Sequence, residues 1–143
     1  MSSLIPSPEA MRQRVERLEE AMREYPQLQI EVRHFHADGL YAREITIPAG
    51  CLLTGKVHKR EHINIISKGR ISIVTDEGEV EIVAPCTMVS KPGTKRAGYA
   101  HEETVWTTIH ATEETDIAKL ELELVTDNYA GYLEHLQEWE CRS

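Results

Sequence analysis

Cysteine is scarce in this chain of 143 residues and poorly arranged for structural work: Cys51, Cys86 and Cys141 are odd in number, and no two form a Cys-x-x-Cys pair. That argues against a disulfide framework, a zinc ribbon or a dithiol redox centre, and reduced thiols are expected. Long apolar runs are missing too. None approaches the roughly 20 residues of a membrane-spanning helix, and the N-terminus lacks a basic-then-apolar secretory pattern. A cytoplasmic protein without a membrane partner is the expectation. Basic charge is in deficit, with 16 Lys and Arg against 24 Asp and Glu for a net charge of −8. A general nucleic-acid binder needs a basic face, so a nucleic-acid partner is not expected. Internal repeats and low-complexity tracts are absent. What is present, 41% hydrophobic and 28% charged residues, suits one globular domain long enough to bury a core.

Ser7-Pro8-Glu9 reads as a helix start, with a capping serine, proline at the first helical position and an acid in the first turn. Met11, Val15, Leu18 and Met22 follow at helical spacing until Pro26 stops the run. The charged face of this helix, Arg12, Glu16, Arg17, Glu19, Glu20 and Arg23, reads as solvated surface. Strand alternation begins at Leu28, Ile30 and Val32 and continues through His34 and His36 to the Asp38-Gly39 hairpin signal, with Leu40 to Ile47 as the return strand. Further short strands run from Ile71 to Thr75, Val80 to Val83, Thr87 to Ser90 and Thr104 to His110, separated by Asp76-Glu77-Gly78, Ala84-Pro85 and Pro92-Gly93 turns. Ile117 to Val125 reads as a last strand on the strength of Leu120, Leu122 and Leu124. Thr126-Asp127 then caps a final helix carrying Tyr129, Tyr132, Leu133, Leu136 and Trp139 or Glu140.

Gly50 to Gly69 is the chemically richest stretch. It lies between two turn signals, and as an extended segment it presents Lys56, His58, Arg60, His62, Asn64 and Ile66 on one face. Its spacing resembles the first motif of the cupin superfamily: glycine, five residues, histidine, one residue, histidine, three or four residues, glutamate, six residues, glycine. Gly50 and Gly69 match the glycines and His58 the second histidine, while Lys56 stands at the first histidine and His62 at the glutamate. A second motif, around proline, glycine and a following histidine, is matched by Pro92 and Gly93 with Arg96 at the histidine. The likeness covers roughly Leu40 to Thr112. It implies a mainly all-β protein, a double-stranded β-helix or jelly-roll barrel of the small single-domain RmlC-like kind found in bacteria and their phages. Residues 28–126 would form the barrel, 1–27 an N-terminal helical extension and 127–143 a C-terminal helix. In that layout the strand bearing Trp106, Thr108 and His110 lies beside the one bearing the first motif, so these three residues line the same cavity.

Two uses of these residues stand open. Lys56 and Arg96 are cations without a lone pair to donate, so two of the family's metal-ligand positions are lost. The first use is therefore metal-free: Lys56 and Arg96 clamp a small anion (phosphate, carboxylate or sugar nucleotide), with Trp106, Thr108 and His110 lining the cavity. His58, His62 and Tyr99 would then be available for acid/base isomerase or epimerase chemistry. Residues 51–100 carry eight Lys and Arg against five Asp and Glu, a local excess suited to an anion. The second use is a divalent metal (Zn, Mn, Fe or Ni) held by His58, His62 and a third histidine, His110, His101 or His36. A non-catalytic ligand-sequestering dimer is a third reading. No cofactor is the leading expectation. A homodimer is expected because Ile63 and Ile65 fall on the parity opposite the cavity and need cover.

Overall fold

The computed structural model describes residues 7–75 and 78–142. Helix α1 (Pro8–Met22) starts where the sequence signals it, with the Ser7 hydroxyl accepting from the amide of Ala10 at 3.1 Å, and it buries Met11 and Val15. The strands are β1 (Glu31–Ala37), β2 (Leu40–Ile47), β3 (Leu52–Thr54), β4 (Val57–His58), β5 (His62–Lys68), β6 (Arg70–Thr75), β7 (Gly78–Val83), β8 (Cys86–Ser90), β9 (Ala97–Ala100) and β10 (Thr104–Ala111). After them come helix α2 (Ile117–Leu124), the two-residue β11 (Val125–Thr126) and helix α3 (Tyr129–Arg142). Every strand pairing is antiparallel. One sheet runs β1-β2-β10-β5-β8, a second runs β3-β9-β6-β7, and β11 pairs separately with β4. The non-sequential neighbours are those of a jelly roll, whose two sheets face each other across the core. Ile47, Ile66, Ile71, Ile73, Ile82, Ala100 and Trp106 fill that core together with Cys51, a free thiol.

The Asp38-Gly39 hairpin forms with Ala37 opposite Leu40, and Gly39 takes a φ of +73°. At the β5–β6 turn Gly69 has φ +97°, and a Cβ there would collide with the carbonyl oxygen of Glu103. Asp76 and Glu77 of the next hairpin lie outside the described residues, as do the side chains of Trp139 and Glu140.

Several local expectations change in the fold. Gly50 to Gly69 is not one strand but three, β3, β4 and β5, with bends between them. The single even-numbered face is therefore broken: His62, Asn64 and Ile66 point inward, whereas Arg60 turns out to an ion pair with Glu123 at 2.9 Å. The first sheet strand begins at Glu31 rather than Leu28, and its histidines are exposed. Ile117 to Leu124 is a helix, not a strand. Asp116 caps it through the amide of Lys119 at 3.1 Å, and Leu120 and Leu124, one turn apart, are buried against Tyr41. Leu122, the residue that completes the apparent alternation, is 75% exposed. At α3 the cap is Asn128, whose side-chain oxygen accepts from the amide of Gly131 at 2.9 Å.

Helix α1 is also more engaged than a solvated surface. Lys95, with a side chain 1% exposed, donates from Nζ to Glu19 Oε1 at 3.0 Å and to the Asp127 carbonyl at 2.7 Å. Glu19 Oε2 accepts from Thr54 at 2.6 Å, Glu16 accepts from the amide of Tyr129, and the Arg12 guanidinium lies 4.0 Å over the Tyr129 ring. One carboxylate thus ties α1 to β3, to the chain leading into β9 and, through Lys95, to the start of α3.

Candidate functional site

Between the sheets lies a cavity of about 110 Å3. Its floor is aliphatic: Ile45 and Ile47 of β2, Leu53 of β3, and Ile71 and Ile73 of β6. Gly98 of β9 lines it as well, and a Cβ there would come within 3.2 Å of Ile71 Cδ1. Toward the mouth the wall turns cationic and polar, with Arg43, Lys56, Thr94, Arg96, Thr108 and His58. Among the described residues no carboxylate lines it.

One side of the cavity is set by a buried hydrogen-bond chain. Trp106 Nε1 donates to Asn64 Oδ1 at 3.0 Å, Asn64 Nδ2 donates to Ser90 Oγ at 2.7 Å, and the Arg96 guanidinium donates to the same hydroxyl. The guanidinium carbon lies 5.7 Å from the Trp106 ring centre. Strand parity explains the assembly, because Asn64, Trp106 and Ser90 all sit on inward faces of neighbouring strands, with Trp106 opposite Ile66 and Asn64 opposite Met88. Within this buried network the bond to Ser90 orients Arg96.

Beside the cavity three histidine rings gather. His58 lies 4.0 Å from His62 and 5.4 Å from His110, and His62 lies 4.9 Å from His110, between ring centres. One ring nitrogen from each falls within 4.8 Å of the other two. The β10–β5 register, with Ile109 opposite Ile63, brings His110 next to His62. His58 is held by β11, where Val125 is its partner, and its carbonyl accepts from the amide of Gly93 at 2.8 Å. His62 Nδ1 donates to the Arg60 carbonyl at 3.1 Å, which leaves Nε2 as the lone-pair nitrogen. That Nε2, His58 Nδ1 and His110 Nδ1 are buried without a hydrogen-bond partner. Burial is the main force on their protonation. It lowers His58 to about 2, aided by the neighbouring imidazoles and by Arg96 and Arg43. It lowers His110 to about 4, aided by His62, Arg60 and Arg43. His62 is lowered by burial too, against the opposing bond to Arg60. Three neutral imidazoles with buried, unpartnered ring nitrogens are the donor set of a borderline divalent cation.

The fold thus brings together most of the residues singled out from the sequence, in a new grouping. His58, Arg96, Trp106 and Thr108 line the cavity, with Lys56 half exposed at its mouth and its Nζ 3.7 Å from Asp127. His62 and His110 stack behind His58 rather than lining the cavity. Of the histidines considered as a third partner, His110 joins the group. His101 instead pairs with the Ser72 hydroxyl at 2.7 Å, and His36 is exposed and stacks on Tyr41. Tyr99 does not face the cavity: β9 turns Gly98 and Ala100 inward and leaves Tyr99 43% exposed on the opposite face. Arg43 went unnoticed in the sequence, although its signal was there, a cation on the same strand parity as Tyr41, Ile45 and Ile47. Glu44, Glu102 and Glu103 do not line the cavity, and Glu44 and Glu103 pair with Arg33 and Lys68.

No family model matches the sequence, and no curated protein is significantly similar to it. Solved structures do match the fold. A cupin superfamily protein of Desulfitobacterium hafniense superposes with a TM-score of 0.51 at 11% identity, over 62% of this chain and 83% of that one. KdgF of a Halomonas species gives 0.50 at 13% identity, over 64% and 91%. A cupin domain from Schizosaccharomyces pombe gives 0.50 at 15% identity, over 67% and 72%. Together with the facing antiparallel sheets, these matches establish that the chain has the cupin fold.

Proposed function

We propose that this protein binds a small anion in the cavity between its sheets, beside a divalent metal ion held by His58, His62 and His110. The observation that carries the anion is the wall itself: three cationic side chains, Arg43, Lys56 and Arg96, and no carboxylate among the described residues. Arg96 is partly buried and loses hydration, while Arg43 and Lys56 stand exposed beside it, and an anion would offset the positive charge that the three bring together. Arg96, pinned by Ser90, offers a planar fork to a carboxylate or phosphate, whereas Lys56 at the mouth contributes a mobile point charge. The metal is favoured by the three unpartnered ring nitrogens, since each buried polar atom left unpaired costs about 1–3 kcal/mol. A divalent ion, when bound there, supplies Lewis acidity toward an oxygen of the ligand. Of the three histidines only His58 lines the cavity, and with its lone pair on the metal it presents the ion to the ligand and is not a free base. Tyr99, which faces away, does not serve as a proton donor in this cavity.

We further propose a homodimer. Phe35, Ala42, Ile109, Ile63 and Val89 form one cross-strand row over the outer face of the large sheet, with Phe35 43%, Ile63 42% and Val89 61% exposed. A second copy of the same face would cover it in a self-complementary contact.

The test of the site is elemental analysis of the purified protein, combined with melting curves. About one equivalent of Zn or Fe per chain is expected, together with a rise in Tm on adding small anions that is lost in Arg43→Ala/Arg96→Ala. A protein without metal that takes up none, or a Tm indifferent to anions, overturns the corresponding half.

A further inference from the structure

The cavity is divided: cations stand at its mouth, and its floor is purely aliphatic. We infer that the ligand is a small amphiphilic acid, one carboxylate carrying a short branched or cyclic apolar tail of roughly four to six carbons. This rests on the anion-binding reading above and narrows it.

Size comes first. At about 110 Å3 the cavity is somewhat smaller than an aliphatic cavity of about 150 Å3 that accepts benzene, and far below the roughly 300–1,000 Å3 of pockets that enclose drug-sized ligands. It cannot enclose a sugar nucleotide. The floor decides next. Ile45, Ile47, Leu53, Ile71 and Ile73 offer no polar atom to a ligand, and Trp106 on the flank has its only polar atom, Nε1, bound to Asn64. Inorganic phosphate or sulfate would satisfy the mouth and leave this floor against nothing that fits it. A tail that displaces water from the aliphatic floor gains about fourfold in affinity per buried carbon. Gly98 sets the depth: lacking a Cβ, it leaves open the space that such an atom would take against Ile71 and Ile73. Arg43 and Arg96, reaching the mouth from β2 and from the chain before β9, then meet the carboxylate.

The test is titration calorimetry on the purified full-length protein with acetate, inorganic phosphate, 3-methylbutanoate, 3-methylbutanamide and a uridine-diphosphate sugar. We expect 3-methylbutanoate to bind at least about tenfold more tightly than each of the others. Gly98→Ala should cut its affinity about tenfold and leave acetate unchanged, because only the tail meets the added methyl. If acetate, phosphate or the sugar nucleotide binds as tightly as 3-methylbutanoate, the amphiphilic ligand is overturned while anion binding stands. If the neutral amide binds as well as the acid, anion binding falls and this inference with it, as both do if none of the five binds.

Discussion

Changing Glu19 to Gln removes one charge from the contact that ties α1 to the cavity wall and keeps nearly the same shape. The Lys95 ammonium is then left 1% exposed, with the Asp127 carbonyl at 2.7 Å and a neutral amide in place of a carboxylate. Breaking a buried ion pair from one side costs about 3–5 kcal/mol, because the remaining charge stays out of water. Glu19 is 21% exposed and the carbonyl persists, so the low end, about 3 kcal/mol, is the expected loss. For a chain of this size that is on the order of 10 °C in Tm. Urea unfolding followed by circular dichroism reads it as a lower midpoint at unchanged slope. Lys95→Met, which removes the buried cation itself and lets Glu19 reach water, should cost about 1 kcal/mol. The double variant should resemble Lys95→Met, not the sum of the two. Thr94 and Arg96 flank Lys95 and line the cavity, so Glu19→Gln should also weaken anion binding. The reasoning is refuted if Glu19→Gln costs less than about 1 kcal/mol, the worth of an exposed pair.

Three further outcomes are expected. The metal-free protein, treated with EDTA, should lose stability as pH falls from about 6.5 toward 4. The folded values of His58 (about 2) and His110 (about 4) lie below the unfolded 6.5, so the unfolded chain takes up protons first. The loss is on the order of 1 kcal/mol per pH unit for each histidine, and a flat profile between pH 7 and 5 would contradict the burial of these rings. His110→Gln should lower metal affinity at least about tenfold, measured by competition with a chromophoric chelator, because two imidazoles alone make a weak site. Ile63→Glu should give a folded monomer by light scattering and circular dichroism at micromolar concentration, since the side chain is 42% exposed in the single chain, with a Tm lowered only by the loss of the partner subunit; a wild-type protein that is already monomeric would refute the paired outer face.

Much of the fold was legible along the chain because it rests on short-range rules. Alternation of side chains marks Leu40 to Ile47 as a strand without reference to any neighbour, and Asp38-Gly39 and Gly69 specify turns through backbone conformations that glycine adopts at little cost. The glycine spacing around His58 and His62 carried the resemblance to the cupin superfamily, and that resemblance implied the barrel. Alternation alone misled at Leu120, Leu122 and Leu124, where the same three leucines suit a strand or a helix. The choice was made by Tyr41, against which Leu120 and Leu124 pack, and by the Asp116 cap. The site needed still longer reach. His110 joins His58 and His62 only through the register that sets Ile109 opposite Ile63, and the bend between β4 and β5 sends Arg60 outward while leaving His58 inside. Lys95 gave no signal, since its burial depends on a carboxylate 76 residues earlier in the chain. Period and turn chemistry are local and can be read from neighbours in sequence. Which faces meet, which histidines share one space and which charges are left without water depend on strand register and packing between distant segments, and only the tertiary structure decides them.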